Sequence, residues 1–126
     1  MPPDDHYFGH GRIAYLQIPA VDLQASAKFY VDVFGWSARP SSRPDHLSFT
    51  DATGDMIGSW DTRLAISTAA GVLPYIYVRG FDAALERLRD VGAEIVMEPY
   101  LEGDVWVATF RDPAGNVMGI FQRDPR

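Results

Sequence analysis

The 126-residue chain has no cysteine. That excludes disulfides, thiolate metal ligation and a cysteine nucleophile. It has one lysine, Lys28, which stands in no glycine-rich loop, so a phosphate-cradling loop is absent. No Gly-x-Ser-x-Gly elbow occurs either. Basic residues are few, 11 against 17 acidic, for a formal charge of −6. A chain without a basic face suits neither nucleic acid nor an anionic membrane surface, so neither partner is expected. No apolar run is long enough to span a bilayer. The opening Met1-Pro2-Pro3-Asp4-Asp5-His6 is acidic and polar, unlike the basic-then-apolar start of a signal peptide. With the missing cysteine, this points to the cytoplasm.

What the chain does have is a repeat. Asp51-Ala-Thr-Gly-Asp-Met-Ile-Gly58-Ser-Trp60 recurs as Asp112-Pro-Ala-Gly-Asn-Val-Met-Gly119-Ile-Phe121, 61 residues on. Ile18-Pro-Ala-Val-Asp22 runs from a strand into a helix start, and Tyr75-Ile-Tyr-Val-Arg-Gly-Phe-Asp82 does so again 60 residues on. About sixty residues is too long for a solenoid unit and right for two copies of a small supersecondary module. The hydrophobic fraction of 47 % and aromatic fraction of 13 % fit one ordinary globular domain or two half-domains. In such a protein the functional cleft is expected between the modules.

Residues 1–11 read as a loose N-terminal tail, 12–60 as the first module, 61–71 as a linker, 72–122 as the second module and 123–126 as a C-terminal tail. In the first module Arg12 to Ile18 predicts a strand, and Asp22 a helix N-cap. Leu23, Ala27, Tyr30, Val31 and Phe34 fall on one helical face, and Gly35 closes the helix. Strands follow at 36–39, 46–50 and 56–60. The second module repeats the order: a strand at 73–78, a helix closed by Gly92, and strands at 93–97, 105–110 and 116–122. Glu98, Glu102 and Asp104 fall in the connection between two of these, which reads as an acidic loop. Each module is thus β-α-β-β-β.

Paired modules of this kind, with Phe29-Tyr30-x-x-x-Phe34-Gly35-Trp36 at a helix end and Phe110-Arg-Asp-Pro-Ala-Gly-Asn116 at a turn, resemble the vicinal oxygen chelate superfamily. Glyoxalase I, extradiol dioxygenases and bleomycin-binding resistance proteins belong to it. The resemblance covers roughly residues 12–122. It implies an α+β fold of two tandem modules forming curved mixed sheets around a cleft, and a homodimer. In metal-dependent members it places one ligand on the first strand and one on the last strand of each module. By counting, those positions fall on Ile13 (or its neighbour Ala14), Gly58, Leu73 and Gly119. An aliphatic side chain or glycine offers a metal nothing, so no metal and no cofactor are expected. Glyoxalase or dioxygenase chemistry is disfavoured with them.

Strand alternation groups Ile13, Tyr15 and Gln17, with Leu73, Tyr75 and Tyr77 as counterparts by the repeat. Gly58 and Trp60 pair likewise with Gly119 and Phe121. The expected ligand-binding wall is therefore aromatic, with glycines leaving room on its floor: Ile13, Tyr15, Gln17, Gly58, Trp60, Leu73, Tyr75, Tyr77, Gly119 and Phe121. Such a wall suits a flat, largely apolar small molecule. The same aromatics could simply be core, and Gln17 could bond a neighbouring strand. Of the three histidines, His6 and His10 read as tail, while His46 opens a strand and could move a proton near neutral pH. The acidic loop is either solvated or a lip for a cation.

The expected function is metal-independent binding of a small apolar or aromatic molecule, in sequestration of an antibiotic or metabolite. One alternative is a metal-free isomerase, lyase or cyclase using Tyr15, His46, Tyr75 or Tyr77 as the acid–base group. Another is a glyoxalase-like relic acting as a protein-interaction module.

Overall fold

A computed structural model of the chain describes residues 8–69 and 71–126. The chain divides into two compact units, 1–65 and 66–126. The first seven residues of the expected tail, His6 among them, lie outside the described residues.

The first unit contains β1 (Tyr15–Pro19), α1 (Leu23–Phe34), β2 (Ser37–Pro40), β3 (His46–Thr50) and β4 (Ile57–Asp61). The sheet order is β1-β4-β3-β2, with β1 parallel to β4 and the other pairs antiparallel. Local chemistry sets the helix bounds. The Asp22 carboxylate accepts from the Ala25 amide at 3.1 Å, satisfying one of the free donors of the first turn. Gly35 takes φ 74°, a left-handed conformation that costs glycine little. The helix then packs its aromatic face on the sheet. Tyr30 stacks on Trp36 at 4.6 Å, Trp36 on Phe49 at 4.8 Å, and Phe49 lies 4.9 Å from Trp60. Tyr30, Phe49 and Trp60 are fully buried. Each such ring stabilises the fold by roughly 2–3 kcal/mol through burial alone.

The second unit contains β5 (Tyr75–Tyr77), α2 (Phe81–Asp90), β6 (Ile95–Glu102), β7 (Val105–Arg111) and β8 (Val117–Arg123). Its sheet order is β5-β8-β7-β6, again with one parallel pair, β5 and β8. Its core is aliphatic rather than aromatic: Leu85, Leu88, Ala108, Met118 and Ile120 surround Phe81 and Phe110. The architecture is therefore the expected α+β arrangement, two β-α-β-β-β modules with mixed four-stranded sheets.

Several boundaries differ from the sequence reading. The N-cap of α2 is Gly80, not Asp82, and it offers no side-chain bond. The Phe81 amide donates instead to Gln122 Oε1 at 2.7 Å. Strand β6 runs through Glu102, so the expected acidic loop is mostly strand. Glu98 there pairs with Arg89 at 2.7 Å, and Glu102 accepts from the Tyr100 hydroxyl at 3.0 Å. These carboxylates have partners within their own module. Residues 124–126 follow β8 and are also held: Asp124 accepts from the Trp106 indole at 2.8 Å, and Arg126 lies 4.1 Å above that ring.

The repeated Asp-x-x-Gly segments owe their likeness to turn chemistry. Asp112 Oδ1 accepts from the amides of Ala114, Gly115 and Asn116. Asp51 Oδ1 accepts from the Thr53 hydroxyl and the amides of Asp55 and Met56. A short carboxylate folded back on its own backbone replaces the hydrogen bonds a tight turn forfeits. The two turns are not the same length. The Asp51 amide donates to Met56, five residues on, whereas the Asp112 amide donates to Asn116, four residues on.

Candidate functional site

Each sheet packs one face on its own helix and leaves the other helix-free. Strand pairing shows which side chains share a face, since registered partners point the same way and successive residues alternate.

In the second module Tyr75 is in register with Gly119, and Tyr77 with Phe121 and, through it, Val107. All lie opposite the core residues Met118 and Ile120. Tyr75 and Tyr77 are 41 % and 46 % exposed. Phe121 stands edge-on to both, at 6.1 Å from Tyr75 and 5.0 Å from Tyr77. Edge-to-face contact holds the three rings against one another while both tyrosines stay partly exposed. The Tyr77 hydroxyl accepts from the Arg123 amide at 3.4 Å. The structure thus brings Tyr75, Tyr77, Gly119 and Phe121 together as expected. The glycine does not leave room, however. A Cβ at Gly119 would run into the Tyr75 ring, so the space is filled by the protein's own tyrosine.

In the first module the corresponding face carries Tyr15, Gln17, Ser48, His46, Ile57, Ser59 and Asp61. The rows are Tyr15–Ile57–Thr50, then Gln17–Ser59–Ser48, then Pro19–Asp61–His46. The expected Gly58 and Trp60 are not on it. Trp60 is buried against Tyr30, Trp36 and Phe49, and a Cβ at Gly58 would meet Phe49 at 2.5 Å and collide with the Leu16 carbonyl. Both belong to the helix-packed face. Ile13 precedes β1 and Leu73 precedes β5; Ile13 is 77 % exposed.

The physical reason is a register slip in the letter-for-letter repeat. Ala20 N–H bonds Asp61 C=O just before the N-cap Asp22, and Val78 N–H bonds Phe121 C=O just before the N-cap Gly80. The true equivalents are therefore Ala20 and Val78, and Asp61 and Phe121. The longer Asp51 turn accounts for the one-residue slip on the last strand, and such a slip turns every side chain to the opposite face. By this ladder the first-module counterparts of Leu73 and Gly119 are Tyr15 and Ser59, not Ile13 and Gly58. The corrected set still holds no imidazole or carboxylate. Among the described residues no three His, Cys, Asp or Glu side chains gather as a metal site.

This face carries one ion pair and also Arg39, which is in register with Ser48 and donates to the Thr50 hydroxyl at 2.7 Å. Asp61 is fully buried and accepts from Arg63 three times, from its amide at 2.8 Å, Nε at 3.0 Å and an Nη at 2.6 Å. Arg63 hydrogen bonding holds the Asp61 carboxyl down at about 2, against the opposing effect of burial. His46, directly across from Asp61, places Nε2 3.4 Å from Ser41 Oγ. His46 Nδ1 and Ser59 Oγ are buried and have no hydrogen-bond partner among the described residues. Ser59, Asp61 and Ser48 escaped the sequence reading. The caps Asp22 and Gly80, aligned in place of Asp22 and Asp82, were the signal that could have found them.

The chain is also similar to known proteins. The chain is 28 % identical over 133 aligned positions to an anthracycline biosynthesis protein, DnrV, of Streptomyces peucetius. That match covers 92 % of this chain and 48 % of the relative, so the chain spans about half its length. The fold matches TnmS3, an antibiotic binding protein from Streptomyces sp. CB03234, with a TM-score of 0.71 at 22 % identity over 90 % of this chain and 97 % of that one. It also matches the hypothetical protein SA1046 of S. aureus, with a TM-score of 0.71 at 17 % identity over 90 % and 96 % of the chains. The family profile described as Glyoxalase/Bleomycin resistance protein/Dioxygenase superfamily matches residues 12–120, and the chain belongs to that superfamily.

Proposed function

We propose that the protein binds a small, largely apolar or aromatic molecule without a metal, and that it sequesters an antibiotic or a related metabolite. The observation that carries this is the packed trio Tyr75, Tyr77 and Phe121 on the helix-free face of the second sheet. Half-exposed rings give a planar ligand stacking surface at little entropic cost. The corrected family positions, Tyr15, Ser59, Leu73 and Gly119, support metal independence because none is a customary ligand for a first-row divalent metal. That TnmS3 is described as antibiotic binding, and DnrV as an anthracycline biosynthesis protein, supports the ligand class. In this reading the protein works in the cytoplasm, as a homodimer.

The test is calorimetric titration with an anthracycline. Micromolar or tighter binding is expected, weakened about three- to tenfold by Tyr77→Ala or Phe121→Ala, the scale of one lost ring contact. Absence of binding by the anthracycline and by other planar aromatics would sink the reading. Native mass spectrometry showing one metal per chain would overturn its metal-independent part.

A second reading rests on His46, whose free ring nitrogen faces away from Ser41. A metal-free isomerase or lyase would use it as the base. Turnover of a bound ligand, lost by about a hundredfold in His46→Phe, separates that enzyme from a binder.

A further inference from the structure

We propose that the helix-free face of the first sheet is a polar subsite, in which Ser59 Oγ and His46 Nδ1 together hold a hydroxyl oxygen of a ring-bearing ligand. It rests on the small-molecule reading above and deepens it by naming the ligand's polar edge.

Three observations converge on it. First, Ser59 is fully buried and its Oγ has no partner among the described residues, nor has the buried His46 Nδ1. A buried polar atom left unpaired costs about 1–3 kcal/mol, so two on one face mark a place where a partner is gained. Second, the two atoms face the same way. Ser59 pairs with Ser48, and His46 with Asp61, so Ser59 and His46 are diagonal neighbours on adjacent strands. Diagonal Cβ atoms lie about 7–8 Å apart, a gap that two converging polar side chains and one oxygen fill. Third, the face is graded. The first row holds Tyr15, Ile57 and Thr50, with apolar surface at its Tyr15 end; the next holds Gln17, Ser59, Ser48 and Arg39, and the last Pro19, Asp61 and His46. Rows on one face of a strand are about 7 Å apart, the length of a two-ring aromatic. A ring on Tyr15 and Ile57 therefore delivers its hydroxyl to Ser59.

Hydrogen-bond chemistry, rather than charge, selects the group. Asp61 is fully buried across from His46, and Arg39 is in register with Ser48 in the Ser59 row, so the face as a whole selects neither sign of charge. Arg63 already neutralises the Asp61 carboxylate and also pairs with Asp45 at 3.4 Å, so a cation gains no open partner there. A hydroxyl suits best because it donates and accepts at once. Serine and a neutral imidazole can each take either role. Gln17, in register with Ser59, adds an exposed amide to the same row.

The experiment compares 2-naphthol with naphthalene by calorimetry on the wild type, Ser59→Ala and His46→Phe. Wild type is expected to prefer 2-naphthol by about tenfold, the worth of one hydrogen bond. Both variants should cut that preference to twofold or less. A variant that fails to fold does not block the test. In 15N-labelled wild type the His46 Nδ1 resonance should move with 2-naphthol and stay with naphthalene. Naphthalene binding with no hydroxyl preference, or a preference that survives both substitutions, overturns the subsite and leaves the aromatic-binding reading intact. If neither compound nor an anthracycline binds, the small-molecule reading itself fails, and the subsite with it.

Discussion

At matching rungs of their ladders the two modules present opposite chemistry. Gln17, Pro19, Ser59, Asp61 and His46 of the first stand where Tyr75, Tyr77, Gly119, Phe121 and Val107 stand in the second. The helix-packed faces do not diverge in this way. Ile18 and Ile76, Phe49 and Phe110, and Trp60 and Ile120 are apolar in both. Each module has to exclude water between its helix and its sheet, so that face is constrained by folding. The helix-free face carries no such obligation and is where the halves specialise, one toward hydrogen bonds and one toward rings.

The comparison breaks first at its largest contrast. Trp60→Ala should cost about 3–5 kcal/mol in urea unfolding, because a fully buried ring leaves a cavity among Tyr30, Trp36 and Phe49. Phe121→Ala, near the partner strand's equivalent rung but on the free face, should cost about 1 kcal/mol or less and act on ligand affinity instead. Equal costs would mean the two faces are not divided as described.

Next come the glycines. Gly58→Ala drives a methyl into the Leu16 backbone carbonyl, which cannot step aside without parting β1 from β4. A loss of about 2–3 kcal/mol is expected. Gly119→Ala meets only the Tyr75 ring, a side chain free to rotate. It should cost under about 1 kcal/mol by the same unfolding measurement and show its effect as altered tyrosine fluorescence.

The smallest effect sharpens the charge contrast. Asp61 has its folded carboxyl lowered to about 2 from 3.8, so the pair contributes fully above about pH 4 and is lost as pH falls toward 2. Asp61→Asn should cost about 1–2 kcal/mol at pH 7, the worth of hydrogen bonds to a charged group whose partner Arg63 stays half in water. That difference from wild type should shrink between pH 4 and 2. A gap unchanged at pH 2 would show that the ion pair is not the cause.

Much of the fold was legible because its signals are local. Asp22 and Gly35 bound α1 where expected, and the Phe29-Tyr30 helix end marked the module. The site was harder to read because a face depends on parity. The repeated Asp-x-x-Gly aligned the turns correctly, yet one additional residue in the Asp51 turn inverted the assignment of Gly58 and Trp60. Asp82 looked like the counterpart of Asp22 because it is the right residue type two positions late. Nothing in the letters said that Gln122, from a distant strand, would take over the capping. Ser59 and Asp61 were hidden for the same reason: their importance lies in what stands across the ladder from them.

That borrowed cap has a consequence for the order of assembly. The cap of α1 is three residues from the amide it serves, so the start of that helix needs no distant segment to be closed. The cap of α2 comes from Gln122, 41 residues away on the last strand. The start of α2 therefore cannot close until nearly the whole chain is present. On a ribosome the first half would settle early while the second waits for its final strand, and amide hydrogens at Phe81 should gain protection only with β8.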